Sequence, residues 1–281
     1  MIKKHLVTCT VMLVLLFITK VFIGAKSEAK SIARTEPTDF DKYHVEGDNE
    51  NALSFADEKL PVGDERINWK MTSSLRKHHY NHLQTKKLHY RAEQWFPVIE
   101  PILEEFGIPA DFKYIPLVET GMTKGLSSYR GASGFWQFMP NTARAYGLRV
   151  NRLHDDRNSV RKSTVAACRY FLDLYKQFNS WTLVAAAYNL GAGRLDYQID
   201  RQNEDNYFRM HLNRETGSYV YKLIAMKEII ENPSEYGYRP KNLKPVDKPE
   251  IRTSPDTSYS VTLPSFLQPV VMQNRAMLTQ L

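Results

Sequence analysis

The chain has 281 residues, with a hydrophobic fraction of 42% and a charged fraction of 25%, which excludes a disordered protein and allows one or two globular domains. The formal charge is +7, yet residues outside 1–25 hold 35 basic against 31 acidic side chains. That near-even balance, with no basic block interleaved with aromatics, argues against a nucleic-acid binder.

The first residues, MIKKHLVTCTVMLVLLFIT, place two lysines before an apolar run. This layout predicts a signal peptide over 1–25, with cleavage after Ala25 or Ala29. An uncleaved anchor with Lys20 snorkelling is the other reading. Either implies an exported protein of the periplasm or cell envelope, and the uncleaved anchor would add membrane association through the N-terminus. Residues 26–63 are polar without a lasting period and read as a linker. Cys9 falls in the leader, so Cys168 has no intramolecular partner once the leader is removed and reads as a small buried helix residue.

From Asp64 the pattern is helical. One helix opens at Asp64-Glu65 and runs through INWKMTSSLRKHHYNHL. A second runs from Lys86 to Phe106 and stops at Gly107 and Pro109. Ala110–Val118 is a short helix. Val165, Cys168, Phe171, Leu172 and Tyr175 give Val160–Phe178 a spacing of three and four. Ser180 is placed to cap WTLVAAAYNL, and Gly191 to end it. Ser218–Ile230 is a further helix, closed by Asn232-Pro233. No strand alternation of any length occurs, so the fold class is all-α. From 233 to 281 proline recurs too often for long helices, which predicts an extended Pro-rich C-terminal arm.

Four stretches carry candidate chemistry. In YIPLVETGM, Glu119 follows Ile115, Leu117 and Val118, whose burial would raise a carboxyl pKa towards that of a general acid. A helix-end glutamate turned outwards is the simpler reading of that stretch alone. Residues 127–148 join a Gly- and Ser-rich loop to Trp136, Gln137, Phe138 and Met139. Such a segment serves equally to wrap a sugar or to feed a core helix. AAAYNLGAGRL offers Tyr188 and Asn189 before a glycine turn, and ETGSYVYKLIAM offers Glu215 as a helix start and Tyr219.

These stretches, in this order, resemble the successive motifs of the family 1 lytic transglycosylases, and most nearly the membrane-bound type D branch, whose domain is related to goose-type lysozyme. The likeness runs from about Asp64 to Tyr238. It implies an all-α, lysozyme-like catalytic domain over 64–232, acting on peptidoglycan glycan strands between N-acetylmuramic acid and N-acetylglucosamine. By position it implies that Glu119 is the catalytic acid and that Ser128 positions the muramyl acetamide or ring. Gln137 and Met139 match the cleft-lining positions of the GxWQxMP element. Tyr188 and Asn189 match the pair beside the acid, and Tyr219 the tyrosine of the last motif. Thr120 and Met122 depart from the serine and aromatic usual there.

The implied reaction uses one carboxyl in two steps and leaves a 1,6-anhydromuramic end. Hydrolysis would need a second acid about 5–9.5 Å away. None follows Glu119 until Asp155, although Asp155, Asp156 or a more distant acid remain open. A hydrolytic lysozyme and an inactive peptidoglycan-binding protein are the competing readings. His78 and His82 stand at metal-pair spacing, but no HExxH or nearby cysteine accompanies them. No metal or cofactor is expected. Arg144, Arg149, Arg152 and Arg157 suit anionic muramyl groups or plain solvent exposure equally.

Overall fold

A computed structural model describes residues 53–79 and 86–238. The expected leader, the linker over 26–52, His82 and the Pro-rich arm beyond residue 238 lie outside the described residues.

The described chain is all-α apart from one small hairpin. Strands β1 (Ser54–Phe55) and β2 (Glu58–Lys59) pair antiparallel. Ala56 and Asp57 between them both take positive φ, 52° and 65°, as the commonest two-residue hairpin turn requires. Residues 53–63 therefore depart from the loose linker expected of 26–63. The reason is packing: Phe55 is fully buried, Leu60 is 2% exposed, and the Ala56 amide donates to Asp111 Oδ2 at 2.7 Å. A two-residue strand is too short to leave an alternating pattern.

Eight helices follow. Helix α1 (Glu65–His78) starts at Asp64, whose carboxylate accepts from the Arg66 and Ile67 amides. It ends at His78, short of the expected Leu83, with His79 already extended. Helix α2 (Lys86–Glu105) ends through the left-handed Gly107, φ 66°. The short helix expected over 110–118 is split into a 3-10 turn (Ala110–Lys113) and α3 (Tyr114–Thr120). Pro116 sits in the first turn of α3, where no intrahelical donor is lost.

Helix α4 (Pro140–Ala145), not among the helices expected from the sequence, begins with proline at its first position. A 3-10 turn (Asp156–Asn158) leads into α5 (Val160–Phe178). Helix α6 (Trp181–Leu190) is capped by Ser180 and ends at Gly191, φ 97°. Helix α7 (Ala192–Gln202) restarts at once, unanticipated in the sequence. After a 3-10 turn (Thr216–Ser218), α8 (Tyr219–Glu231) runs through the core.

Helix α8 packs against α1, α3 and α6, while α2 and α6 pack on α5. A file of aromatic rings crosses this core. Phe55 meets Phe112 at 5.2 Å, Phe112 meets Phe171 at 4.6 Å, and Phe171 meets Tyr188 at 5.2 Å between ring centres. Each such pair adds about 0.5–1.5 kcal/mol beyond its buried area. The hairpin also holds the start of α6. Glu58 accepts from the Trp181 amide, the Thr182 amide (3.1 Å), the Thr182 hydroxyl (2.6 Å) and the Ser180 hydroxyl (2.9 Å). A carboxylate there meets the positive end of the helix dipole. The hairpin thus fixes the helix that carries Tyr188 and Asn189. Cys168 is a free, buried thiol within α5. No helix among the described residues is long and apolar enough to cross a membrane.

Candidate active site

Glu119 stands in the last turn of α3. The helix buries Tyr114, Ile115, Pro116 and Leu117, which anchors it and leaves its C-terminal end facing the rest of the site. Gly121 and Met122 then both take the left-handed conformation, φ 54° each, and turn the chain sharply away. Arg91 donates to the Gly121 carbonyl (2.8 Å) and to the Thr123 hydroxyl (2.7 Å), so this turn is fixed from α2. A Cβ on Gly121 would sit 3.0 Å from Leu88 Cδ2. Thr120, where serine is usual, turns its hydroxyl inwards to the Pro116 carbonyl at 3.0 Å. Met122 fills the core at 1% exposure.

Glu119 is half-buried, and Tyr219 from α8 donates its hydroxyl to Glu119 Oε1 at 2.6 Å. Four influences act on its carboxyl. Burial raises its pKa most, and the negative charge of Glu215 raises it further, while the Tyr219 bond and the charge of Lys222 pull it down. The net direction is upward, which favours the protonated form. Burial, then the charge of Glu119, pushes both Tyr219 and Tyr188 far up, so each phenol stays a donor.

Tyr188 does not bond Glu119. Its hydroxyl donates to the Trp136 carbonyl, and its ring packs on Phe138 at 6.1 Å and Tyr170 at 5.7 Å. It ties α6 to the loop of residues 127–139. Asn189 is held on both sides: its amide donates to Glu215 Oε1 at 3.2 Å, and its carbonyl accepts from the Thr216 hydroxyl at 2.8 Å.

The loop that carries Ser128, Gln137 and Met139 is braced from within. The Ser128 hydroxyl accepts from the Ala132 amide at 3.0 Å. Gln137, in a left-handed conformation, donates its amide to the Gly134 carbonyl (2.8 Å) and the Leu126 carbonyl (3.1 Å). Met139 is 44% exposed beside α4. None of these three side chains bonds Glu119 among the described residues. Trp136, for which the sequence left a sugar-facing and a core role equal, is a core residue, fully buried with its indole N–H on the Thr164 hydroxyl at 3.0 Å.

Arg157 staples the loop from below. It is 7% exposed, donates to the Gly131 carbonyl (2.7 Å) and the Phe138 carbonyl (3.0 Å), and clasps both oxygens of Asp155 (2.8 and 2.7 Å). Gly134 lies against this residue so closely that a Cβ would fall 1.9 Å from the Arg157 carbonyl oxygen. Sequence reading had Arg157 as a ligand-facing or exposed cation. Its partners in the loop are backbone carbonyls, which leave no trace in residue type.

Asp155 and Asp156 are committed to cations: Asp155 to Arg157, and Asp156 to Arg149 (2.9 Å) and Lys162 (2.8 Å). The acid whose field reaches Glu119 is instead Glu215, noted in the sequence only as a helix start. Its place in ETGSY, four residues before Tyr219, was the available signal. His78 bonds the Ser74 carbonyl at 2.7 Å through Nδ1.

Comparisons with known proteins bear on the family of the chain. The family model of the transglycosylase SLT domain matches residues 103–210. The chain is 32% identical over 194 residues to membrane-bound lytic murein transglycosylase D of Escherichia coli K12, covering 66% of this chain and 42% of that protein. It is 33% identical over 147 residues to a protein of Alteromonas sp. (strain M-1) named for tributyltin chloride resistance, covering 51% of this chain and 71% of the relative. The crystal structure of the 70 kDa soluble lytic transglycosylase of Escherichia coli aligns with a TM-score of 0.42 at 16% identity, over 64% of this chain and 38% of that one. The chain belongs to the family 1 lytic transglycosylases, the group defined by the SLT domain. It spans less than half the length of the type D enzyme that it matches.

Proposed function

We propose that the protein is a peptidoglycan lytic transglycosylase in which Glu119 acts alone as acid and then base. Protonated Glu119 gives its proton to the oxygen of the glycosidic bond between N-acetylmuramic acid and N-acetylglucosamine. The bond from muramyl C1 to that oxygen breaks, and positive charge develops on C1 and the ring oxygen. The Glu119 carboxylate then takes the proton of the same sugar's 6-hydroxyl, whose oxygen attacks C1 and closes the 1,6-anhydro ring. Tyr219, donating to Oε1, steadies the carboxylate between the two steps. Ser128, Gln137, Met139, Tyr188 and Asn189 are assigned to holding the strand or its loop. The domain is read as 64–232 with the hairpin attached, exported to the envelope by residues 1–25.

The observation that carries this reading is the raised carboxyl of Glu119, half-buried behind apolar residues and touched by one phenol. The name of the type D relative, which describes it as membrane-bound and acting on murein, supports the substrate and the envelope location. One feature favours hydrolysis as the second reading: Glu215, a further carboxylate whose charge reaches Glu119. Mass spectrometry of products from purified sacculi separates the two. Anhydromuramic ends support the transglycosylase, whereas reducing ends would assign a muramidase. An unaltered sacculus would leave an inactive binding protein.

A further inference from the structure

A cavity of about 420 Å³ lies between helix α7 and residues 211–213, and no step of the mechanism above uses it. Arg194, Tyr197, Gln198 and Arg201 line one wall. They stand at i, i+3, i+4 and i+7, which is one face of a helix. Leu195 anchors the helix to the core at 0% exposure. Asp196 and Asp200 fall on another face, and Asp196 accepts from Gln177 Nε2 at 3.2 Å. The cavity wall itself is therefore cationic and aromatic, with no acid among its lining residues.

The opposite wall is His211, Leu212 and Asn213. A reciprocal pair locks the two walls together: Gln202 Oε1 accepts from the His211 amide at 2.7 Å, and Gln202 Nε2 donates to the His211 carbonyl at 3.2 Å. Asn213 links the cavity to the candidate site. Its Oδ1 accepts from the Glu215 and Thr216 amides (2.9 Å each), and the Thr216 hydroxyl reaches Asn189 at 2.8 Å. Asn213, which lines the cavity, thus also holds the segment that carries Glu215 and Thr216, and Leu190 of the cavity wall directly follows Asn189.

We infer that this cavity binds carboxylates of the peptidoglycan strand, the two guanidiniums of Arg194 and Arg201 being the recognition groups. The inference rests on the substrate reading given above. The sugar rings are neutral, so the strand's carboxylates sit on the stem peptide or, where the peptide has been removed, on the muramyl lactyl group. Arginine suits either, since its fork pairs with a carboxylate through two parallel bonds. Spacing separates them. Seven residues of helix put the two arginines about 10 Å apart along the axis. A stem peptide with several carboxylates can engage both, while a lactyl group brings only one. Tyr197, 62% exposed, gives the aliphatic part of a peptide a surface to lie on.

The test is calorimetric titration of the full chain with a soluble muramyl peptide, which has no bond from muramic acid to N-acetylglucosamine to cleave. Three ligands are compared: the muramyl peptide, the same compound with its carboxyls amidated, and N-acetylmuramic acid. Wild type is expected to bind the first at least about tenfold more tightly than the second, a margin typical of a charge-assisted pair. In Arg194→Gln/Arg201→Gln that margin should fall towards one, while Arg194→Lys/Arg201→Lys should keep part of it. N-acetylmuramic acid binding as tightly as the peptide would move the recognised group to the lactyl carboxylate. No loss on amidation in wild type, or an unchanged margin in the glutamine variant, would overturn the inference. The amidation comparison stands on wild type alone, so it decides even if the double variant does not fold. Because no turnover is involved, the titration reads the cavity separately from the assignment of Glu119, which is read from the products of sacculus digestion.

Discussion

Glu119 and the Asp155–Asp156 pair carry the same functional group, and the fold treats them in opposite ways. Burial and the charge of Glu215 raise the Glu119 carboxyl. The bonds from Arg157 lower Asp155, and those from Arg149 and Lys162 lower Asp156. One environment favours the protonated carboxyl, and the other favours its charged form and uses that charge to tie a loop. The difference teaches that the apolar run YIPLV matters to Glu119 for what it excludes, namely water and any directly bonded cation. The aspartates depend on what they attract.

The largest test of this contrast is Glu119→Gln. Activity on purified sacculi should fall about 10²–10⁴-fold, the usual worth of a positioned general acid. Stability should not fall with it. A carboxyl with a raised folded pKa contributes stability below its unfolded pKa and loses it as pH rises through the folded value. At neutral pH the burial of this carboxyl therefore opposes folding, and thermal unfolding of the glutamine variant should come at the same temperature or higher. A clear drop would mean that Glu119 is structural, as the aspartates are.

The mirror experiment is Arg157→Ala. Removing one partner of a buried, bonded pair costs about 3 kcal/mol, read by denaturant unfolding. Gly134→Ala should cost about as much for a different reason, since its backbone has φ 79° and the new Cβ meets the Arg157 carbonyl oxygen. If either variant unfolds like wild type, the loop is not held from below.

Tyr219→Phe sharpens the acid side. Loss of the donor removes an interaction that favours the charged carboxylate, so the pKa of Glu119 should rise further. The alkaline limb of the kcat/KM profile should then move to higher pH, with activity lowered about tenfold, as for one hydrogen bond to a charged group. Glu215→Gln should move the same limb the other way, because a negative neighbour has been removed; here the shift is small, as Glu215 is exposed. The smallest effect belongs to Asp156→Asn. The folded pKa of Asp156 lies below its ordinary 3.8, so its contribution is present above that value and is lost as pH falls further. Acid unfolding below pH 3.8, followed by circular dichroism, should become less steep in this variant.

Much of this arrangement was legible in the chain because it is local. The three-and-four spacing of Val165, Cys168, Phe171 and Leu172 reproduces the buried side of α5, and Ser180 and Gly191 mark the ends of α6. The apolar neighbours of Glu119 announced its desolvation. What escaped was contact between distant segments. Glu58 meets Thr182 across 124 positions, and Arg157 meets Gly131 across 26. Neither has a period to betray it, and their partners are largely backbone groups common to every residue. Helix α7 was missed because the glycine turn before it also reads as an ending. Trp136 was ambiguous because a large aromatic serves a core and a sugar cleft equally well until its burial is known.

The bond between Tyr219 and Glu119 has a consequence in time as well as in space. Its two residues are 100 positions apart, and Tyr219 opens α8, the last helix described. A chain made or exported from its N-terminus presents the glutamate long before the phenol that touches it. Until α8 docks against α1, α3 and α6, the carboxyl lacks both its donor and part of the wall that shields it from water. The acid is therefore tuned last, by the element that also closes the core, and an unfinished molecule carries Glu119 as an ordinary glutamate.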